Sequence, residues 1–240
     1  MPRLSIIIPV YNEAQTIEQV LDLVENIDVG GLEKEVIVVD DGSTDGTAQI
    51  IAERSARPTA LLLSHRSIIN LGKGAAVRFG FKYATGDIIL IQDADLELDP
   101  SECGQLIAPI LEGRADVVYG SRFAGTNRGV PSVTRWANRV LTWLTNVLYG
   151  VRLTDMETAY KVFRRDVLQR ISLRCVGFDI EPEITARVLQ AGFRIQEMPI
   201  TYRPRRRDEG KKLSWTDGID AVYTLLRCRL VQQRGRPAAS

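Results

Sequence analysis

Two carboxylates, Asp93 and Asp95, follow the apolar run Asp87-Ile88-Ile89-Leu90-Ile91 after a single Gln92. Residues two apart on an extended chain point the same way, so both side chains can approach one hard cation through oxygen. Such a cation keeps other positions for phosphate oxygens and water, and against a diphosphate it neutralises the charge that grows as a leaving group departs. Asp40 and Asp41 close a second apolar run, Val36-Ile37-Val38-Val39, and could accept hydrogen bonds from a base or ribose. Each signal also has a plainer reading. An Asp-x-Asp occurs in many loops, and Asp40-Asp41 before Gly42-Ser43 would serve as a turn and helix cap, with Ser43 or Asp45 as the capping residue. Asn70-Leu71-Gly72-Lys73-Gly74 is a glycine turn carrying a lysine. Val77 holds the sixth place of a GxGxxG pattern and the polar stretch from His65 to Asn70 precedes it, which argues against a nicotinamide site. No Walker A sequence is present.

The elements that would position these residues alternate. Leu4–Val10 reads as a strand buried on both faces, ending in Pro9-Val10-Tyr11-Asn12-Glu13. Glu13–Ile27 places Ile17, Val20, Leu21 and Val24 at helical spacing; Val36–Val39 is a second strand and Asp45–Ala56 a helix. A short strand over Ala60–Leu63, a helix over Gly74–Ala84, and strands over Asp87–Ile91 and Ala115–Tyr119 follow. Single helices between strands imply crossovers and a mainly parallel sheet, in which ligands bind beyond the carboxyl ends of the strands. The second half is less regular: helices over Val133–Tyr149, Glu181–Ala191 and Trp215–Leu230, strands over Ala159–Phe163 and Arg194–Tyr202, and a frayed tail over Arg234–Ser240. The expected division is one domain over 1–215, its donor half 1–120 and acceptor half 121–215, with a C-terminal helix and tail over 216–240.

Composition narrows the classes. The 240 residues are 45% hydrophobic and 25% charged with a formal net charge of +1, an ordinary globular balance that gives no general pull toward nucleic acid. Three scattered cysteines, Cys103, Cys175 and Cys228, offer neither a disulfide framework nor a thiolate zinc site and fit a reducing compartment. A single histidine, His65, leaves little material for a histidine metal site or a Ser-His-Asp triad and reads as structural. No secretory signal and no run of about 18 apolar residues is found, so the expected location is cytoplasmic, with a peripheral contact on the cytoplasmic membrane face as the alternative.

The motifs gain force from their order. Ile6-Ile7-Ile8-Pro9-Val10-Tyr11-Asn12-Glu13, Val38-Val39-Asp40-Asp41-Gly42-Ser43-Thr44-Asp45-Gly46-Thr47, Asn70-Leu71-Gly72-Lys73-Gly74-Ala75-Ala76 and Gln92-Asp93-Ala94-Asp95 together resemble the family 2 glycosyltransferases. Gly120-Ser121-Arg122-Phe123, the run from Thr154 to Phe163, Gly177–Glu183 and Glu209–Trp215 resemble the polyprenyl-phosphate branch, the dolichyl-phosphate mannosyltransferases and their bacterial relatives. The resemblance spans about residues 4 to 225.

It implies an α/β GT-A fold and inverting, metal-dependent transfer from a UDP- or GDP-sugar to a lipid phosphate. Carried over by position, Pro9, Tyr11, Glu13 and Asp40 surround base and ribose, Lys73 approaches the nucleotide, and Asp93 and Asp95 hold Mg²⁺ or Mn²⁺. Glu97 stands where the family often has Gln. Arg122 and Arg139 match positions that engage phosphate, and Asp95, Arg122, Arg139 and Glu183 form the expected catalytic set. Arg207, Lys211 and Lys212, within the basic run from Arg203 to Lys212, would meet a diphosphate or anionic headgroups. The helix over Val133–Tyr149, with Arg135, Trp136, Arg139 and Trp143, suits a membrane surface, core packing or a dimer contact. A phosphate monoester is largely dianionic at neutral pH, so the chemistry needs positioning and charge neutralisation more than a strong base. Asp155, Asp179, Glu181 and Glu183 are candidates for a base if the acceptor is an alcohol; for Asp155 and Glu183, support of the loop is an equal reading. Two other functions fit the same motifs: a family 2 transferase with a soluble or saccharide hydroxyl acceptor, and a non-catalytic nucleotide-sugar-binding partner of a membrane subunit. The sequence leaves the oligomeric state open.

Overall fold

The computed structural model describes residues 2–57, 62–125, 132–205 and 215–231. Seven strands lie in one sheet among these residues: β1 (Arg3–Val10), β2 (Glu33–Asp40), β3 (Leu62–Arg66), β4 (Ile88–Ile91), β5 (Val117–Ser121), β6 (Lys161–Arg164) and β7 (Ile195–Pro199). Their order is β3-β2-β1-β4-β6-β5-β7. All pairings are parallel except those of β6, which runs antiparallel to both β4 and β5.

The sheet is buried on both faces because its central strands carry apolar residues at successive positions. Leu4, Ile6 and Ile8 of β1 face one layer, where α1 (Ile17–Asn26) contributes Ile17, Val20, Leu21 and Val24 and α4 (Cys103–Leu111) contributes Leu106, Ile107 and Ile110. Ile51 of α2 (Thr47–Ser55) joins the same layer. On the other face Ile7 packs on Ala76 of α3 (Lys73–Tyr83). There Ile91, Val117 and Phe163 meet Val167 of α6 (Arg165–Arg170) and Ile180, Ile184 and Val188 of α7 (Ile180–Gln190). α5 (Ser132–Tyr149) and α8 (Trp215–Leu230) pair with each other through Leu141, Met156, Ala221 and Leu225.

Register sets the working edge of the sheet. Val10 pairs with Asp40 and Ile7 with Ile91, so the carboxyl ends of β1, β2 and β4 fall along one side. The polar clusters beginning at Tyr11, Asp41 and Gln92 emerge there together.

Two expectations are revised and one helix is added. β3 runs to Arg66, so His65 belongs to a strand and stacks on Phe79 at 3.6 Å between ring centroids. α4 carries Pro109 inside it, a residue that reads as a helix breaker. α5 does not bury its tryptophans: Trp136 is 70% and Trp143 63% exposed, while Asn138, Leu141, Thr142 and Thr145 form its buried side. Core packing therefore does not explain the tryptophans. The candidates Arg207, Lys211 and Lys212, the start of the Ala60–Leu63 strand and the tail over Arg234–Ser240 lie outside the described residues.

Candidate active site

The segment after β4 is built to hold two carboxylates at the sheet edge. Gln92 is fully buried, and its Nε2 donates to the carbonyls of Asp93 (3.2 Å) and Leu98 (3.4 Å), tying the two ends of the turn together. Asp95 accepts from the Glu97 amide at 3.1 Å, and Leu96 between them has φ of 60°, a left-handed conformation that leucine rarely adopts. Burial, with the charges of Asp93 and Glu97, pushes the Asp95 carboxyl up to about 7. Arg205 braces this turn from the far end of the chain. Its guanidinium donates to Glu13 (2.7 Å) and to the Asp95 carbonyl (3.0 Å), and its amide donates to Glu97 (2.8 Å). Glu97 also accepts from the Tyr202 hydroxyl at 2.8 Å, so both its oxygens are committed to holding residues 202–205.

Lys73, at the start of α3, lies beside Asp93. Its ammonium is 2.8 Å from Asp93 Oδ1 and 3.2 Å from Glu181 Oε1, and these two carboxylates hold it charged despite burial. Glu181 is in turn paired with Lys161, a fully buried lysine whose ammonium also donates to the carbonyls of Met156 and Thr158 and lies 4.7 Å from the Tyr119 ring. Burial tends to protonate Glu181, but the two ammoniums outweigh it and leave its pKa lowered.

Asp40 and Asp41 divide their labour. Asp41 accepts from the amides of Leu71 (2.9 Å) and Gly72 (2.6 Å) and so fixes the glycine loop. Asp40 accepts from the Ser43 amide through Oδ1, while its Oδ2 is buried, makes no hydrogen bond, and lies 3.5 Å from the Arg66 guanidinium. The glycines serve packing. A Cβ on Gly72 would come 2.4 Å from the Val176 carbonyl oxygen, and one on Gly74 would come 2.7 Å from that of Cys175. The amides of Gly74 and Ala75 donate to Gly177 and Val176 carbonyls, so the N-terminus of α3 is already capped by backbone.

The second half supplies two arginines, one paired and one exposed. Arg122 follows β5 and forms a forked pair with Asp155, Nε to Oδ2 at 2.7 Å and Nη2 to Oδ1 at 2.8 Å. Asp155 also accepts from the Arg122 amide and from Asn138 of α5. Arg139, the next residue on α5, is exposed and lines a groove of about 330 Å³ with Phe123, Thr142, Trp143, Asn146, Leu153 and Thr154. Glu183 points elsewhere: its Oε2 accepts from the amides of Arg174 and Cys175, both at 2.7 Å. That is the loop-supporting arrangement. Pro9 is buried within β1, and Tyr11 and Glu13 stand half-buried just beyond it.

Residues 5–172 match the sequence model described as glycosyl transferase family 2. The chain belongs to this family. Among its relatives, polyprenol monophosphomannose synthase of Mycolicibacterium smegmatis is 32% identical over 97% of this chain and 91% of that protein. The dolichol-phosphate mannosyltransferase of Pyrococcus furiosus is 30% identical over 94% of this chain and 64% of its own length. The low-salt glycan biosynthesis hexosyltransferase Agl6 of Haloferax volcanii is 32% identical, and there the match covers 53% of the relative. Among solved structures, glucosyl-3-phosphoglycerate synthase from Mycobacterium tuberculosis in complex with UDP superposes with a TM-score of 0.71 at 22% identity, over 97% of this chain and 82% of that one. The same enzyme with Mn²⁺, UDP-glucose and phosphoglyceric acid gives 0.69 at 23% identity. At these identities the likeness shows the fold, which is GT-A.

The donor set of this family 2 glycosyltransferase fits a hard divalent cation. Asp93 and Asp95 offer oxygen, and burial, with the neighbouring charges of Asp93 and Glu97, raises the Asp95 carboxyl, a cost that a cation beside it would offset. Among the described residues no group of three or more His, Cys, Asp and Glu could hold a metal ion, so the two aspartates would need diphosphate oxygens and water to complete a shell. Glu97, held by Tyr202 and Arg205, is turned to a bracing role. Arg205, Lys161 and Asn138 touch the residues of this site without having been singled out for it. Arg205 lay in the basic run and Lys161 in the run from Thr154 to Phe163, whereas Asn138 carried no signal; Glu181 had been named only as a candidate base.

Proposed function

We propose that the chain transfers a sugar, with inversion, from a UDP- or GDP-sugar to a polyprenyl phosphate at the cytoplasmic membrane surface. The observation that carries this reading is the 32% identity to polyprenol monophosphomannose synthase, which runs over both halves of the chain and nearly the whole relative. Asp40 Oδ2, a buried acceptor without a hydrogen bond, suits a ribose hydroxyl, with Pro9, Tyr11 and Glu13 around the base and ribose. On this reading Lys73, 2.8 Å from Asp93, meets the diphosphate. When bound by Asp93 and Asp95, Mg²⁺ or Mn²⁺ supplies charge neutralisation for the departing nucleoside diphosphate.

The acceptor phosphate is a nucleophile without a base; the chain has to desolvate it, aim it in line and balance its charge. Arg139 at the groove is the exposed guanidinium for that task, while Arg122 is held in place by its forked pair with Asp155. The groove opens beside the exposed stripe of α5 formed by Val133, Trp136, Trp143 and Val147, which suits a lipid surface.

The test is a matrix of labelled GDP-mannose and UDP-glucose against undecaprenyl phosphate, dolichyl phosphate, 3-phosphoglycerate and a saccharide, with Mn²⁺ or EDTA. Transfer to a polyprenyl phosphate is expected, with Asp95→Ala lowering kcat by about 100-fold or more and Arg139→Ala raising KM for the lipid by about tenfold. Transfer to the saccharide or to 3-phosphoglycerate in preference to the lipids overturns the acceptor. Full turnover of Asp95→Ala in EDTA overturns the metal role.

A further inference from the structure

The mechanism above gives Asp93 to a divalent cation, yet in the structure its Oδ1 is already paired with the Lys73 ammonium at 2.8 Å. Lys73 is largely buried and has a second carboxylate, Glu181, at 3.2 Å. Glu181 cannot follow Lys73, because its other oxygen is held by Lys161, which is anchored by the Met156 and Thr158 carbonyls. The arrangement is a cation on a long stem between two carboxylates, one of them held by a second lysine.

We propose that Lys73 is a built-in competitor for Asp93: it occupies that carboxylate until the donor's diphosphate draws it away, and Glu181 is the positioning residue that keeps it within reach throughout. This rests on the reading of Asp93 and Asp95 as cation ligands. The physical reason is simple. Two cations at one carboxylate repel, so Lys73 on Oδ1 weakens the hold of Asp93 on a metal, and leaving is costly in a buried site unless another anion receives the ammonium. A diphosphate is such an anion, and on the proposed function Lys73 would meet it. Linkage then requires that whatever moves Lys73 off Asp93 also strengthens cation binding, and the reverse. Binding of metal without donor is held weak, which keeps the site from loading unproductively.

The test reads Mn²⁺ alone on the purified, nucleotide-free chain, by the loss of the free-ion electron paramagnetic resonance signal. Lys73→Met removes the competitor and is expected to tighten Mn²⁺ binding by about tenfold over wild type. Lys73→Arg keeps the charge and should leave Mn²⁺ affinity within about twofold of wild type, whereas Lys73→Met with Asp93→Asn should lose the gain. Equal or weaker binding by Lys73→Met, with Asp95→Asn weaker still, overturns the competition while leaving the cation site standing. No Mn²⁺ binding by any of these proteins, with or without UDP or GDP, overturns the cation site and the proposal with it. Should Lys73→Met fail to fold by circular dichroism, the wild-type chain answers instead. Mg²⁺ alone is expected to shift the Lys73 ¹³Cε resonance, assigned by its loss in Lys73→Arg, and binding of Mg²⁺ without that shift overturns the proposal.

Discussion

Glu157 stands among charges of both signs, near Lys161 and Arg122 on one side and Glu181 and Asp155 on the other, and its Oε1 is shut off from solvent with no hydrogen bond. Burial pushes its carboxyl from an ordinary value of 4.5 up to about 7. Between those two values the folded chain binds a proton that the unfolded chain has released, so this group's contribution to stability falls as pH rises through the window and stays low above it. Glu157→Gln removes the dependence. The variant should melt at the wild-type temperature near the low end of the window and above it at pH 8, by an amount corresponding to about 3 kcal/mol. A melting difference that does not change with pH would contradict this. At this scale the sequence was informative where chemistry sits at a strand end: Asp40, Asp93 and Asp95 are where the apolar runs stop. It was silent on partnership. Nothing in a linear reading pairs Arg205 with Glu13, 192 positions away, or Lys73 with both Asp93 and Glu181.

Elements carry two further expectations. Gly72 has φ of +105° and its missing Cβ leaves room for the Val176 carbonyl, so it secures the contact between α3 and the loop before α7. Gly72→Ala must both strain the backbone and push that loop away, and should cost about 2 kcal/mol or more in a denaturant titration. An unchanged midpoint would mean the loop yields freely. The second concerns α5. Its periodicity was legible as a helix, but an apolar stripe at helical spacing does not say what covers it; only the buried partners of Leu141 and Thr145 fix which side faces inward. Replacing Trp136 and Trp143 by Ser should therefore leave thermal stability nearly unchanged. Sedimentation with anionic liposomes should drop several-fold, since interfacial binding scales with buried apolar area. Loss of folding instead of liposome binding would assign the stripe a packing role. α4 was missed for the converse reason: its internal Pro109 hides a helix that burial of Leu106, Ile107 and Ile110 maintains.

For the whole molecule, the alternation of apolar strands and helices in the first half made the parallel order legible, because each crossover leaves few choices. The place of β6 was not. A strand arriving late in the chain inserts antiparallel between β4 and β5, and no local pattern specifies that neighbour choice. The insertion joins the halves at their core: Val162 and Phe163 of β6 are fully buried against strands of the first half. A fragment ending at residue 120 would leave β4 and β5 with unpaired edges and is expected to be insoluble or molten, checked by circular dichroism and dye binding.

That strand also bears on how such a protein could have diversified. The residues assigned to nucleotide and those assigned to acceptor fall in successive halves of the chain, which invites exchange of one half between relatives. Since β6 belongs to the second half by position and to the first by hydrogen bonding, a crossover near residue 120 would bring together strands that never shared a history. New pairings of donor and acceptor would then arise by substitution in loops at the sheet edge, with the sheet itself inherited whole.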